Sequence, residues 1–182
     1  MKQIYFILTD TGTMLSRIIK AFMKDEYAHI SLSLDRNLNE MYSFGRLNPY
    51  NPFFGGFVHE YIDKGTFKRF YKTISKIYVL EIDDYKYEKI KELIHEFEIN
   101  KEKFKFNTIG LFAIAIKKKI TKENSFYCAE FVKHILDSAE IDTKLPELVR
   151  PESFKDIKNT LVIYKGLLRA YKNGKNERIT IS

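Results

Sequence analysis

The chain has 182 residues, a length that suits one domain, and 45% of them are hydrophobic, with 12 Tyr and 15 Phe, enough to bury an ordinary core. Its net charge of +7 permits attraction to anionic surfaces, but the lysines are mixed with 24 acidic residues and accompany no nucleic-acid motif, so nucleic acid is not indicated. One cysteine excludes an internal disulfide.

Gln3 to Thr9, rich in Ile, Tyr and Phe, reads as a strand, broken by Thr11-Gly12-Thr13. Its apolar stretch is too short for a signal-peptide core, and the apolar run Ile109–Ile116 is far below the about 20 residues that span a bilayer, so a cytoplasmic protein is expected. Met14 to Met23 reads as a helix with Met14, Leu15, Ile18, Ile19 and Phe22 on one face. Ala28 to Leu34 alternates strictly: Ile30, Leu32 and Leu34 point one way, His29, Ser31 and Ser33 the other. A turn at Asp35–Asn39 leads into a second strand from Glu40 to Phe44, giving an antiparallel hairpin.

Arg46 to Gly56 carries Pro49, Pro52 and Gly55-Gly56 and reads as an ordered loop, followed by a short strand at Phe57–Ile62. Thr73 to Ile82 is a clearer strand, and Asp83 to Ile99 an amphipathic helix. Asn107 to Ile116 reads as a short buried helix. A helix carrying Cys128 runs to about Ala139, with Asn124 and Ser125 available as N-caps. A short helix follows Pro151, and Thr160 to Tyr171 closes the chain as a strand. One domain over 1–172 and a polar tail over 173–182 are expected. Strands mixed with separate helices indicate the α+β class, with an antiparallel sheet that includes 28–34, 40–45 and 74–82 and the Cys128 helix packed on it.

Apolar residues recur from Cys128 at Phe131, Val132, Ile135 and Ala139, which puts the thiol in the first turn on the buried face. There the positive end of the helix dipole favours thiolate, although a lone cysteine is also a common small core residue. A thiolate nucleophile needs a base. His134 is about 240° around the helix from Cys128 and points away. His95 sits on a charged helix face, and His59 on the exposed side of an edge strand. His29 opens a strand and shares its face with only Ser31 and Ser33, small residues that let a helix end approach. There is no Gly-rich phosphate loop, no Cys-x-x-Cys and no His-Glu-x-x-His, so neither a metal nor another cofactor is indicated.

The run Tyr27-Ala-His29-Ile-Ser-Leu-Ser-Leu34, followed about a hundred residues later by Phe126-Tyr-Cys128-Ala-Glu-Phe-Val132, resembles the circularly permuted papain-like hydrolases of the YiiX/YaeF group in the NlpC-type superfamily. The opening Ile7 to Ile19 resembles the group's N-terminal strand, loop and helix, and the likeness covers roughly residues 1 to 140. It implies a papain-like core, with the cysteine helix packed against the histidine strand, and thiol-dependent cleavage or transfer at an amide, peptide or ester bond of a small-molecule, peptide or lipid acyl substrate. Cys128 matches the nucleophile and His29 the base. The family's third polar residue falls near Ser43, a weaker orienting group than a carboxylate, with Glu40 and Tyr42 as alternatives. The Cys128 N–H would supply part of an oxyanion hole. Tyr127, Thr11 and Arg46 are expected at the oxyanion hole or cleft, Arg46 facing an anionic group. The Arg46–Gly56 loop and the Thr9–Thr13 turn are expected to border that cleft. Two other readings compete: a non-catalytic binding module of the same fold, and a membrane-surface protein docking through Leu111 to Ile120, where apolar residues meet three lysines.

Overall fold

A computed structural model describes residues 1–48, 50–116 and 118–171; the expected polar tail lies outside them. In chain order the elements are β1 (Lys2–Asp10), α1 (Met14–Met23), β2 (His29–Ser33), β3 (Met41–Asn48), β4 (Asn51–Glu60), α2 (Gly65–Arg69), β5 (Ile74–Ile82), α3 (Asp84–Ile99), β6 (Lys105–Phe106), α4 (Thr108–Ala113), β7 (Ser125–Phe126), α5 (Cys128–Ser138) and β8 (Leu161–Leu167). The main sheet has the order β4-β3-β2-β1-β5-β8, and every neighbouring pair is antiparallel. β6 and β7 form a small parallel pair. The protein is therefore α+β, with helices packed on an antiparallel sheet. No helix among the described residues is long and apolar enough to cross a membrane.

β1 lies inside the sheet because both of its faces are apolar. Ile4, Phe6 and Leu8 alternate with Tyr5 and Ile7, and all five are buried. The first face joins Ile30, Leu32, Phe44, Phe57 and Leu80 to a layer made by Ile90, Ile94 and Phe97 of α3 and by Phe131, Val132 and Ile135 of α5. The second face, with Met41, Ile77 and Val79, is covered by Phe67 of α2 and by Leu168 and Tyr171 after β8.

Phe131 ties α5 to the sheet. It is fully buried, with ring centroids 5.3 Å from Phe44, 5.6 Å from Phe57 and 5.2 Å from Phe97. Phe131→Ala removes that ring from a site that cannot collapse without moving three others. It should cost about 3–5 kcal/mol in urea unfolding; a loss below about 1 kcal/mol would show that α5 does not depend on this packing.

Several expected boundaries change. Arg46 to Gly56 is no loop: β3 and β4 continue through it as a hairpin, pairing Gly45 with Gly56 and Arg46 with Gly55. The glycines serve close approach rather than turning. A Cβ on Gly55 would stand 2.9 Å from the Gly45 carbonyl oxygen and 3.0 Å from Phe106. The expected strand at 57–62 is the end of this longer β4. The expected helix at 107–116 is α4 continued by a 3-10 turn at Ile114–Ile116, and the one after Pro151 is a 3-10 turn, Pro151–Asp156. The last expected strand stops at Leu167 and gives way to a 3-10 turn, Leu168–Tyr171. The turn before α1 does need its glycine: Gly12 has φ +67°, and its N–H donates to Asp10 Oδ1 at 2.9 Å.

Candidate active site

Cys128 is the first residue of α5, and His29 is the first residue of β2. α5 packs across β2 and β3, so a helix start is brought to a strand start. The two side chains border one cavity of about 90 Å³. Its other walls come from Thr9 and Thr11 before α1, Gly45 and Arg46 of β3, and Glu60 at the end of β4. Phe44, Phe67 and Phe106 make much of the remaining wall apolar.

The start of α5 is held by side chains that sequence reading did not assign. The helix opens after Tyr127, not at Asn124 or Ser125; Ser125 belongs to β7. Glu130 Oε2 accepts from the Tyr127 N–H at 3.2 Å and from Asn107 Nδ2 at 3.4 Å. Asn107 also donates to the Ile120 carbonyl at 2.9 Å, fastening the segment before β7 to the helix start. Tyr127 itself is buried, and its hydroxyl donates to the Val149 carbonyl at 2.9 Å. This corrects the expectation for Tyr127: its N–H and its hydroxyl are both engaged, so it anchors the helix start and supplies no oxyanion donor.

The expected orienting role of Ser43 also changes. His29 Nε2 lies 3.2 and 3.3 Å from the two carboxylate oxygens of Glu60, which Ser31 also bonds through its hydroxyl. Register explains the meeting. Met41 pairs with both Ser33 and Glu60, so Glu60 shares the sheet face of His29, Ser31 and Ser33. Ser43 is buried beside this group, but its hydroxyl oxygen has no hydrogen-bond partner among the described residues, so it orients neither His29 nor Glu60. Gly45 leaves the room for it. A Cβ there would stand 3.3 Å from Ser43 Oγ, 3.4 Å from Glu60 Oε1 and 3.5 Å from His29 Cε1. Of the alternatives, Glu40 is exposed in the turn and Tyr42 packs on the other face, stacked with Phe57.

Glu60 decides the charge state of the site. Burial opposes a charged imidazole, but the Glu60 carboxylate, hydrogen bonding with Cys128 and Glu60, and the Cys128 charge outweigh it and raise His29 to about 10. Burial likewise works against the Glu60 carboxylate, yet the His29 charge and the bonds from His29 and Ser31 hold it below the ordinary range. Both shifts favour a carboxylate–imidazolium pair at neutral pH. With Nε2 turned to Glu60, Nδ1 is the ring nitrogen left for Cys128.

The other histidines are occupied elsewhere. His59 Nε2 meets the Asn39 carbonyl oxygen at 2.7 Å, while His134 packs against the rings of Phe97 and Phe126. His95 is exposed on α3. Among the described residues no cluster of His, Cys, Asp and Glu could hold a metal ion.

Arg46 and Thr11 both line the cavity. Thr11 Oγ1 lies 3.2 Å from Thr13 Oγ1, and Arg46 Nη2 donates to Thr13 Oγ1 at 2.9 Å. The same Thr13 caps α1 by accepting from the Ser16 N–H at 3.3 Å. Arg46 forms no ion pair with a carboxylate among the described residues; its guanidinium lies 5.5 Å from the Phe70 ring centroid. Burial, and then neighbouring Arg69, lower its proton affinity. A cationic wall should favour anionic reagents. Arg46→Met should therefore cut the ratio of iodoacetate to iodoacetamide alkylation at Cys128 by about tenfold. An unchanged ratio would show that the guanidinium field does not reach the sulfur.

Comparison of the chain with family models, with curated proteins and with solved structures finds no match.

Proposed function

We propose that the protein is a thiol-dependent hydrolase or acyltransferase of permuted papain-like fold, acting on an amide, peptide or ester bond through Cys128, His29 and Glu60. One observation carries the reading: a cysteine at a helix start and a carboxylate-paired histidine border the same cavity. Structural cysteines need no such neighbour, whereas a nucleophile needs a base and the base needs an orienting group.

In this reading the Cys128 thiolate attacks the acyl carbon, and the carbonyl electron pair moves to oxygen. The N–H of Cys128, in the first turn of α5, has no intrahelical acceptor and supplies part of the oxyanion hole in this reading. Collapse of the adduct breaks the bond to the leaving group, which takes a proton from the His29 imidazolium. A water or an acceptor alcohol or amine then attacks the thioester. Neutral His29 takes its proton as Cys128 leaves as thiolate, restoring the starting state. Glu60 stabilises the imidazolium and fixes the ring, leaving Nδ1 for the sulfur and the leaving group.

The test is a panel of activated amides and esters, read by intact-protein mass. An active enzyme gains the acyl mass, loses it to hydroxylamine, and gains nothing when Cys128 is replaced by alanine. A folded protein that acquires no thioester from any member, with Cys128 alkylated only on unfolding, supports the non-catalytic binding module instead.

A further inference from the structure

We infer that α1 and the segment from α4 to Ile120 form a docking surface for an anionic lipid bilayer. The two elements adjoin, α1 lying against the 3-10 turn Ile114–Ile116. Both expose large apolar side chains: Met14 and Phe22 of α1 are 78% and 60% exposed, and Ile109 and Ile116 are 67% and 65% exposed. Ile18, Phe112 and Ile120 are exposed beside them. On α1 the spacing Met14, Ile18, Phe22 is one stripe at four-residue intervals, distinct from the buried Ile19 and Met23 that hold the helix to the core. Concentrated exposure of this kind marks an interaction site rather than ordinary surface.

Charge selects the partner. Neither α1 nor residues 108–120 contain an aspartate or glutamate. The exposed cations on and beside these segments are Arg17, Lys24, Lys118, Lys119 and Lys122, of which Lys119 pairs with Glu147; the exposed carboxylates at their margins are Glu26, paired with Lys165, and Glu123. An apolar surface rimmed by cations matches the acyl boundary and headgroups of an anionic membrane. A second copy of this chain would instead bring cations against cations. Ser16 and Ile19 of α1 and Leu111 of α4 line the cavity that holds Cys128 from the buried sides of these helices, so the helices stand between the docking surface and that cavity.

Sedimentation with phosphatidylcholine vesicles, with and without phosphatidylglycerol, tests the surface on the full chain. Wild type should bind the phosphatidylglycerol vesicles, and less as salt rises. Phe22→Ser combined with Ile116→Ser should lower partitioning by about tenfold or more. Lys118→Glu and Lys24→Glu should each lower it by about fivefold or more at low salt. All four positions are exposed, so circular dichroism should match wild type. Cys128→Ala should bind as wild type does, which separates this surface from the catalytic reading. Absence of vesicle binding overturns the inference, as does equal binding by wild type and the serine variant. So does a dimer in light scattering that the serine variant converts to monomer, because the face is then covered by a second copy.

Discussion

Cys128→Ala should abolish turnover, with a loss on the order of 10⁶ in kcat where the sulfur is the nucleophile. His29→Ala should lower alkylation of Cys128 by iodoacetamide at pH 7, and the two proteins should converge as the pH passes about 10, where His29 itself loses its proton. The reason lies in the charge beside the sulfur. Below that pH the wild-type cavity holds an imidazolium that can pair with thiolate, and the alanine variant does not. The comparison also separates nucleophile from core residue. Cys128 is only 3% exposed, a value that fits either role, but it borders the cavity. A packed core cysteine reacts on unfolding, with the same rate in both proteins. Equal rates at pH 7 in the folded proteins would show that His29 does not act on the thiol.

Much of this site can be read from residue patterns, and the part that cannot has a physical reason. Cys128 and His29 stand out because each opens an element whose periodicity is plain: the Phe131, Val132, Ile135 stripe and the Ile30, Leu32, Leu34 alternation. Glu60 is hidden because its strand is hidden. Pro52 and the Gly55-Gly56 pair look like loop chemistry, whereas in the sheet the glycines permit contact between Gly55, Gly45 and Phe106. With β4 shortened to its last residues, nothing places Glu60 across the hairpin from Met41, on the His29 face. A signal was available in Phe57-Val58-His59-Glu60, whose alternation sets the carboxylate opposite to Phe57. Reading it requires the register of three strands, a non-local quantity. Ser43 was a near neighbour of the true partner: it lies on the same face, beside Glu60. Tyr127 fails for a different reason. Position beside Cys128 says nothing about whether an N–H is free, and here Glu130, three residues on, takes it.

Glu60→Gln is expected to act through His29 with little change in shape, since the amide is nearly isosteric with the carboxylate. Burial then disfavours the imidazolium without its main compensation, so the His29 titration should fall from about 10 toward or below the ordinary value of about 6.5. At neutral pH the ring would shift toward the neutral form. Turnover should drop by on the order of 10²–10⁴, by analogy with loss of the orienting carboxylate in hydrolase triads. Stability follows the same pair. Because the folded value of His29 is raised, its contribution is fully present below about pH 6.5 and is lost as pH rises through about 10. The Glu60 value is lowered, so its contribution is present above the ordinary carboxylate range and is lost as pH falls through the folded value. Wild type should therefore be most stabilised by this pair in mildly acidic solution and weaken on either side, while the glutamine variant should show a flatter profile. Proton NMR of the His29 Cε1–H follows the titration directly, with urea unfolding at several pH values as the second measurement. A His29 titration that does not move in Glu60→Gln would show that the carboxylate does not set its charge, and the catalytic role given to Glu60 would fall with it.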